Sequence, residues 1–350
     1  MKQYEAFFDI LKQLVRTPSV VGAENPFFMA VKKELEEIGI QTTLYEGVLV
    51  ASGDDPTSGY ISSHVDRHGL VCTGPREFQY AAYVSKNRAD LTGRSISEQT
   101  YKNLAGRFEG QAVQAYDRSS GSYQGIGKIT TSSICERRGN LIFEIDGLDY
   151  LLPETPVAFV DKLVISDGFV SAQLDNVLTN AMIIYMYQNG YKGTAFFSAE
   201  EEAGKSWRYI LEWFMRFDIS TDELLILDTS PYPDEQSATK QSLVFRRRDT
   251  HARFNSPLQK KLIKICRKSK IKYDYKDRYI KERNKQIVTD GGTNSGSLGS
   301  TELGRLIVAS KQSIQGTTLQ IPTTGYHTVD ETAAINSITD AIDVLLKLYL

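Results

Sequence analysis

Long apolar runs, paired cysteines and low-complexity tracts are all missing from this sequence of 350 residues. No apolar run approaches the ~18–20 residues that a membrane-spanning helix requires. The three cysteines, Cys72, Cys135 and Cys266, are widely spaced and form no CxxC pair, which excludes a disulfide scaffold. The first fifteen residues place Glu5 and Asp9 in an amphipathic pattern, without the apolar stretch of a secretion signal. These absences predict a cytoplasmic protein with reduced thiols and no membrane partner.

The composition is that of an ordinary globular protein, with 41% hydrophobic and 24% charged residues. At ~100–200 residues per domain, the length predicts about two domains. Charge is uneven along the chain, because Lys240 to Lys285 holds 17 basic residues against four acidic ones. This stretch could be a surface for an acidic substrate or nucleic acid. We favour a solvated face or a subunit contact, because no nucleic-acid-binding motif accompanies it.

Hydrophobic periodicity alternates between helix and strand at both ends of the chain. Helices are predicted to end before Thr17 and to span about 26–38, 176–187, 207–217, 257–268 and 333–349. Strands are predicted over 42–51, 60–65, 193–198, 223–227, 242–245, 306–309 and 317–321. This order predicts a layered α/β domain, with helices on both faces of one sheet.

The pattern changes between about 72 and 165. Short apolar runs are separated there by clusters of Gly, Asp, Asn and Ser, and helical periodicity is scarce. We therefore predict a small all-β domain over 72–165, inserted into an α/β domain formed by 1–71 and 166–350.

Residue types that bind metals gather where predicted strands end, which is where open α/β sheets place their sites. They are His64 and Asp66, Asp175, Glu200 to Glu202, Asp228 and His327. Taken alone, Asp175 could be a helix N-cap, and the three glutamates could be a solvated helix start. Burial of several carboxylates together is costly unless cations compensate them, so the set as a whole favours a metal site.

A second histidine, His68, stands four residues after His64. The segment HVDRH lacks the Glu that follows the first His in zincin helices, and it lies at a strand end. We interpret His68 as an ordinary polar residue or as one that supports a ligand from outside the metal's own shell.

The order of these motifs resembles the tetrahedral (TET) family of metal-dependent aminopeptidases, which includes glutamyl and deblocking aminopeptidases. The resemblance covers nearly the whole chain. It rests on PSVVGAE at 18–24, HVDRHG at 64–69, LDN at 174–176, EEAG at 201–204, DT at 228–229 and GYH at 325–327. It implies a three-layer α/β/α catalytic domain of the zinc-exopeptidase type with a barrel-like insert. It also implies a tetrahedral dodecamer, with the insert contributing to subunit contacts.

The resemblance implies two divalent cations per subunit, Zn²⁺ or Co²⁺, bridged by Asp175. His64 and Asp228 would complete the ligands of one ion, and Glu202 and His327 those of the other. Imidazole and carboxylate ligands suit these metals better than Mg²⁺ or Ca²⁺.

Catalytic roles follow from the same resemblance. Asp66 would hold the second ring nitrogen of His64. Glu201 would be the general base for a metal-activated bridging water that attacks peptides with a free amino terminus. Two alternatives stay open: a metal-dependent amidohydrolase or deacylase acting on N-acylated amino acids, and an inactive homologue that serves as a binding protein.

Two positions depart from the family pattern. Arg67 stands where an acidic residue is usual, and Asn294 stands where Asp is usual. We therefore expect Arg67 to be a possible substrate contact. Its positive charge would favour substrates that carry acidic groups, by charge complementarity.

Overall fold

The computed structural model describes residues 2–86, 98–136, 139–290 and 296–350. Asn294 lies outside these ranges. The helices are α1 (Glu5–Arg16), α2 (Asn25–Glu37), α3 (Ala81–Lys86), α4 (Glu98–Phe108), α5 (Val177–Gln188), α6 (Ser206–Arg216), α7 (Glu235–Ala238), α8 (Pro257–Lys268), α9 (Lys276–Thr289), α10 (Glu302–Ala309) and α11 (Ile335–Tyr349).

The strands of the large sheet are β1 (Gln41–Tyr45), β2 (Val48–Ser52), β3 (Tyr60–His64), β10 (Val164–Ser166), β11 (Phe169–Ala172), β12 (Thr194–Ser198), β13 (Thr221–Pro231), β14 (Leu243–Phe245), β15 (Tyr273–Tyr275), β16 (Ile314–Thr324) and β17 (Glu331–Ala334). The strands of the barrel are β4 (Leu70–Gly74), β5 (Glu77–Tyr80), β6 (Ala112–Tyr116), β7 (Tyr123–Ile134), β8 (Leu141–Asp146) and β9 (Pro156–Phe159).

The large sheet is the centre of a three-layer domain. Its strand order is β1-β2-β12-β3-β13-β16-β17-β11-β10, with β14 paired to β16 and β15 paired to β14. Alternate residues of β2 and β3 point to opposite faces: Leu49 and Ile61 pack with α1, α2, α5, α8 and α11, whereas Val50 and Tyr60 pack with α6 and α10. The prediction of an α/β sheet covered on both faces is confirmed.

Helix α5 is the most buried of the helices that cover the sheet. Every residue from Val177 to Tyr187 is buried, as expected of a helix that is apolar on all sides. Its first turn follows Asp175 directly, so the rigid interior of the protein fixes the position of that carboxylate.

Six antiparallel strands close a barrel in the order β4-β5-β8-β7-β6-β9. Strand β8 alternates buried and more exposed residues, and Phe78, Phe108 and Phe143 are fully buried in the core. The prediction of a barrel-like insert is confirmed, and the structure adds two helices, α3 and α4, to a stretch expected to be all-β. Among the described residues, no helix has the length and apolarity needed to cross a membrane.

Three element predictions are corrected. Residues 306–309 lie in helix α10 rather than in a strand, because Leu303, Leu306 and Ile307 form a buried face at helical spacing. The predicted strand 42–51 is a hairpin of β1 and β2 whose turn places Gly47 at φ 68°, a backbone conformation that favours glycine. The helix predicted over 333–349 begins only at Ile335, because residues 331–334 form strand β17.

Candidate metal centre

Parallel pairing brings the site residues to one edge of the sheet. Strand β3 lies between β12 and β13 and is parallel to both, with His64 opposite Ser198. The segment after β12 carries the glutamates 200–202, and the next parallel strand, β16, leads into the loop of His327. Asp228 was expected at the end of its strand, but β13 continues to Pro231. The carboxyl ends of these strands therefore supply side chains from distant parts of the sequence.

Asp175 lies in the middle of the cluster, with its two carboxylate oxygens facing different histidines. His64 Nε2 is 3.2 Å from Asp175 Oδ1, and His327 Nε2 is 3.8 Å from Asp175 Oδ2. The Asp175–Asn176 peptide bond is cis. The Asn176 amide donates to the Leu227 carbonyl oxygen at 2.9 Å, which ties the start of α5 to the strand that carries Asp228.

Two groups of potential ligands share this centre. In the first group, His64 Nε2 is 3.7 Å from Asp228 Oδ1 as well as 3.2 Å from Asp175 Oδ1. In the second group, His327 Nε2 is 3.4 Å from Glu202 Oε1. The structure thus brings together all five residues expected to bind metal.

His68 also belongs to the second group. Its Nε2 atom is 3.1 Å from Glu202 Oε1, and its ring centroid is 3.7 Å from that of His327. Three of the chain's four histidines therefore lie at this centre. The sequence predicts His68 outside the metal's own shell, and the signal for its place here is a histidine only two residues after Asp66.

Asp66 positions the two glutamates that follow β12. Its fully buried carboxylate accepts hydrogen bonds from the backbone N–H groups of Glu201, at 2.9 Å, and Glu202, at 3.0 Å. His64 Nδ1 is 3.1 Å from the Asp66 backbone oxygen and 3.5 Å from its Oδ1. The expected contact with His64 is present, but the carboxylate's hydrogen bonds go to the backbone of Glu201 and Glu202.

The three consecutive glutamates have different surroundings. Glu200 pairs with Lys205 Nζ at 2.8 Å and also contacts Ser85 and Tyr209. It lines a cavity of about 510 Å³ between the barrel and the sheet, away from the histidines. Glu201 and Glu202 instead face His64, with ligand atoms of all three residues within 4.8 Å of one another.

Glu331 is a site residue that sequence reasoning missed. It is buried, and its two carboxylate oxygens accept from the backbone N–H groups of Asp175 and His327, each at 2.8 Å. In the sequence it stands in the short segment ETAA with no motif around it, so only the fold reveals this role.

The cluster contains more buried carboxylates than the neighbouring positive charges can neutralise. Burial raises the pKa of Glu201 and Glu202 well above the usual range, and neighbouring carboxylates add to this. Burial also lowers the pKa of His327 well below its ordinary value. Burial alone would lower the pKa of His64, but its contacts with three aspartates raise it well above the ordinary value. Protons or cations must therefore neutralise the site.

The residues present fit divalent metal ions. Ligand atoms about 2.0–2.2 Å from a tetrahedral Zn²⁺ lie roughly 3.3–3.6 Å from one another. The spacings of 3.2 Å from His64 to Asp175 and 3.4 Å from His327 to Glu202 are close to this range. Asp175 Oδ1 and His68 Nε2 are also buried without a hydrogen-bond partner, and such atoms are uncommon in folded proteins unless they bind something.

The position of Arg67 argues against a substrate contact. Its buried guanidinium donates to Ser19 Oγ at 2.8 Å and Val15 O at 3.0 Å, contacts Thr17 O, and lies over the Phe27 ring at 5.8 Å. These contacts join the segment after β3 to the end of α1. We correct the expectation accordingly: Arg67 is engaged within the fold.

The basic stretch 240–285 folds into β14, α8, β15 and α9. Most of its lysines and arginines are exposed or half-buried, as on a solvated face, but Arg246 and Lys276 are buried. Arg246 Nε donates to Gln320 Oε1 at 2.9 Å, and Gln320 Nε2 is 3.3 Å from Asp228 Oδ2. Arg246 of the basic stretch thus contacts Gln320, which in turn contacts Asp228 at the site.

Comparison with solved structures identifies the fold. The TET1 peptidase of Pyrococcus horikoshii matches with a TM-score of 0.69 and 16% identity, over 98% of this chain and 99% of that one. A TET aminopeptidase from a marine sediment Thaumarchaeota archaeon matches with a TM-score of 0.71 and 13% identity, over 99% and 96%. This chain has the TET peptidase fold.

A third structure, an endoglucanase from Thermotoga maritima by its description, matches with a TM-score of 0.64 and 13% identity, over 97% of this chain and 96% of that one. The TET fold thus occurs in proteins described by different activities, so the activity of this chain must be argued from its site. No protein-family model and no curated protein matches the sequence.

Proposed function

We propose that this protein is a metallo-aminopeptidase that removes the amino-terminal residue of peptides at a centre of two divalent metal ions. The observation that carries the proposal is the Asp175 carboxylate, with one oxygen 3.2 Å from His64 Nε2 and the other 3.8 Å from His327 Nε2. A single carboxylate that faces two separate histidines is the arrangement a bridging ligand requires.

Each ion would have its own protein ligands in addition to the shared Asp175. His64 and Asp228 would hold the first ion, and Glu202 and His327 the second. When bound, the ions supply Lewis acidity, lowering the pKa of water and polarising the scissile carbonyl. Zn²⁺ or Co²⁺ suits this donor set best.

Glu201 would serve as the general base. Its backbone N–H is held by Asp66, so the carboxylate is fixed beside His64 and Glu202. Burial raises its pKa well above the usual range, which makes the carboxylate a stronger proton acceptor. Glu201 would take a proton from the attacking water and then deliver it to the nitrogen of the departing peptide.

Substrate selection would depend on the free amino terminus. The cluster is rich in carboxylates, and a peptide ammonium group would be attracted to any that the metals do not neutralise. An N-acylated substrate lacks this positive charge, so an aminopeptidase and a deacylase built on this site would differ in the substrate group they require.

Assembly and location are part of the same proposal. The TET1 peptidase of Pyrococcus horikoshii assembles into a tetrahedron or a large octahedral shell, and we propose a tetrahedral dodecamer for this chain, with the insert 72–165 contributing contacts. Among the described residues the cysteines form no disulfide, and two of them are buried, which agrees with a cytoplasmic location.

The test is hydrolysis of a panel of aminoacyl chromogenic amides, each with an N-acetylated partner, by protein loaded with Zn²⁺ or Co²⁺ and by chelated protein. The proposal predicts metal-dependent cleavage of the free-amine substrates only. Cleavage of the acetylated set would favour the amidohydrolase. If protein that holds two ions per chain cleaves neither set nor longer peptides, the result would favour a binding protein with a catalytically inactive site.

A further inference from the structure

His68 is a buried imidazole whose second ring nitrogen has no hydrogen-bond partner. The residue is 4% exposed, and its Nε2 atom is buried and unpaired. That atom lies 3.1 Å from Glu202 Oε1, in a contact without hydrogen-bond geometry. A buried polar group left in this state destabilises a protein unless something else binds it.

The surroundings of His68 fix the direction of its ring. Its Nδ1 atom contacts the Tyr80 hydroxyl, and its backbone oxygen accepts from Gln173 Nε2 at 2.8 Å. The ring also packs against the His327 ring, with the two planes inclined at 51°. These contacts hold Nδ1 toward the barrel strand β5 and direct Nε2 toward Glu202 and His327.

Metal ligation would satisfy the atom that the fold leaves unpaired. Ligand atoms of His68, Glu202 and His327 all lie within 4.8 Å of one another. Metal-binding histidines usually engage their other ring nitrogen with a neighbouring group, and the Tyr80 hydroxyl is in place to accept from Nδ1–H. The lone pair of Nε2 would then point into the centre.

We propose that His68 is a direct ligand of the cation held by Glu202 and His327, giving that ion two imidazoles. This inference rests on the proposed two-metal function but goes beyond its ligand set. Two imidazoles favour Zn²⁺ and Co²⁺ over Mg²⁺ and Mn²⁺ at this position. The two ions would consequently differ in ligand type, with the His64 ion held mainly by carboxylates.

Cobalt binding tests the proposal without relying on turnover. The experiment titrates metal-free protein with Co²⁺ for the wild type, His68→Gln and the control His251→Gln. Calorimetry measures the heat of binding, and visible absorption reports the environment of the bound ion. His251 is the chain's remaining histidine and is exposed, with Nε2 2.9 Å from Ser300 Oγ. We expect His68→Gln to weaken one of two binding events by about tenfold or more and to alter the cobalt spectrum, whereas His251→Gln matches wild type.

Zinc K-edge X-ray absorption on the wild-type protein gives a second readout that does not depend on how the variant folds. With two ions bound, the proposal expects a total of three imidazole ligands for the two ions together. A total of two imidazole ligands overturns it. Equal cobalt affinities and spectra for His68→Gln and wild type also overturn it, while leaving the two-metal function intact. A wild-type protein that binds no cobalt overturns both.

Discussion

Glu331 and Asp175 are joined by a hydrogen bond from the Asp175 backbone N–H to Glu331 Oε2 at 2.8 Å. The other oxygen of Glu331 accepts from the backbone N–H of His327. One buried carboxylate therefore sets the spacing between two residues that we propose as metal ligands, although they lie far apart in the sequence.

Replacing Glu331 by Gln removes one of these two acceptors, because the amide nitrogen cannot accept from an N–H group. We expect metal affinity to fall by about 10–100-fold, as is typical when a group that orients a ligand is lost. Equilibrium dialysis with Zn²⁺ measures this. Glu302→Gln is the matched control, because Glu302 is equally buried but accepts from the rotatable hydroxyls of Ser62 and Ser198. Equal affinities for the two variants would argue against the positioning role.

The neighbouring acids Glu200 and Glu201 are predicted to differ sharply in their effect on catalysis. We expect Glu201→Gln to retain both metal ions and to lower kcat by about 10²–10⁴-fold, as loss of a general base does. We expect Glu200→Gln to stay within a few-fold of wild type, because Glu200 pairs with Lys205 instead of facing the histidines. Loss of a metal ion from Glu201→Gln would instead identify Glu201 as a ligand.

Arg67 is predicted to matter for stability and not for substrate choice. Arg67→Ala leaves the buried Val15 carbonyl oxygen and the half-buried Thr17 carbonyl oxygen without their donor, so we expect the free energy of unfolding to fall by about 2–5 kcal/mol. Denaturant unfolding measures this, with the exposed Arg208→Ala as control. Relative rates on acidic and neutral substrates should stay unchanged in Arg67→Ala. A selective loss on acidic substrates would restore the contact expected from the sequence.

Glu24 is predicted to make stability depend on pH. Burial raises its pKa from 4.5 to about 8, so between these values the folded chain holds a proton that the unfolded chain releases. The stabilisation is therefore complete below about pH 4.5 and is lost as pH rises to about 8. Glu24→Gln keeps the oxygen that accepts from the Gly22 and Glu200 N–H groups but has no proton to lose.

Thermal unfolding from pH 5 to 9 checks this difference. The Tm of wild type minus that of Glu24→Gln should decrease as pH rises and level off above about pH 8. A difference that does not vary with pH would show that Glu24 ionises normally in the folded protein.

The sequence reveals the layers of the fold and the ligand types, because both follow from local patterns. Helix α5 and the strand before Glu201 are nearly continuous apolar runs, which are typical of buried elements of an α/β sheet. The four residues 306–309 give too short a window to separate helical from strand periodicity, so the strand predicted there is wrong and the segment belongs to helix α10.

The contacts that the sequence could not reveal depend on tertiary structure. Glu331 reaches Asp175 across 156 positions, and no local pattern records such a pairing. Arg67 is buried because α1 and Phe27 pack beside it. No local pattern in the sequence indicates this packing, and the charge of Arg67 alone suggests a role in binding. The segment HVDRH lacks the zincin Glu and lies at a strand end, so the sequence gives His68 no role as a ligand, yet the segment after β3 brings its ring to Glu202.

The central claim is that one chain holds two divalent ions that are jointly needed for hydrolysis. The most direct measurement titrates metal-free protein with Zn²⁺, counting bound ions per chain by mass spectrometry under native conditions and assaying an aminoacyl amide with a free amino terminus at each step. The account predicts that hydrolysis rises with occupancy, reaches its plateau at two ions per chain and returns to zero with chelator. Full hydrolysis in chelated protein, or a plateau at one ion per chain, would contradict it.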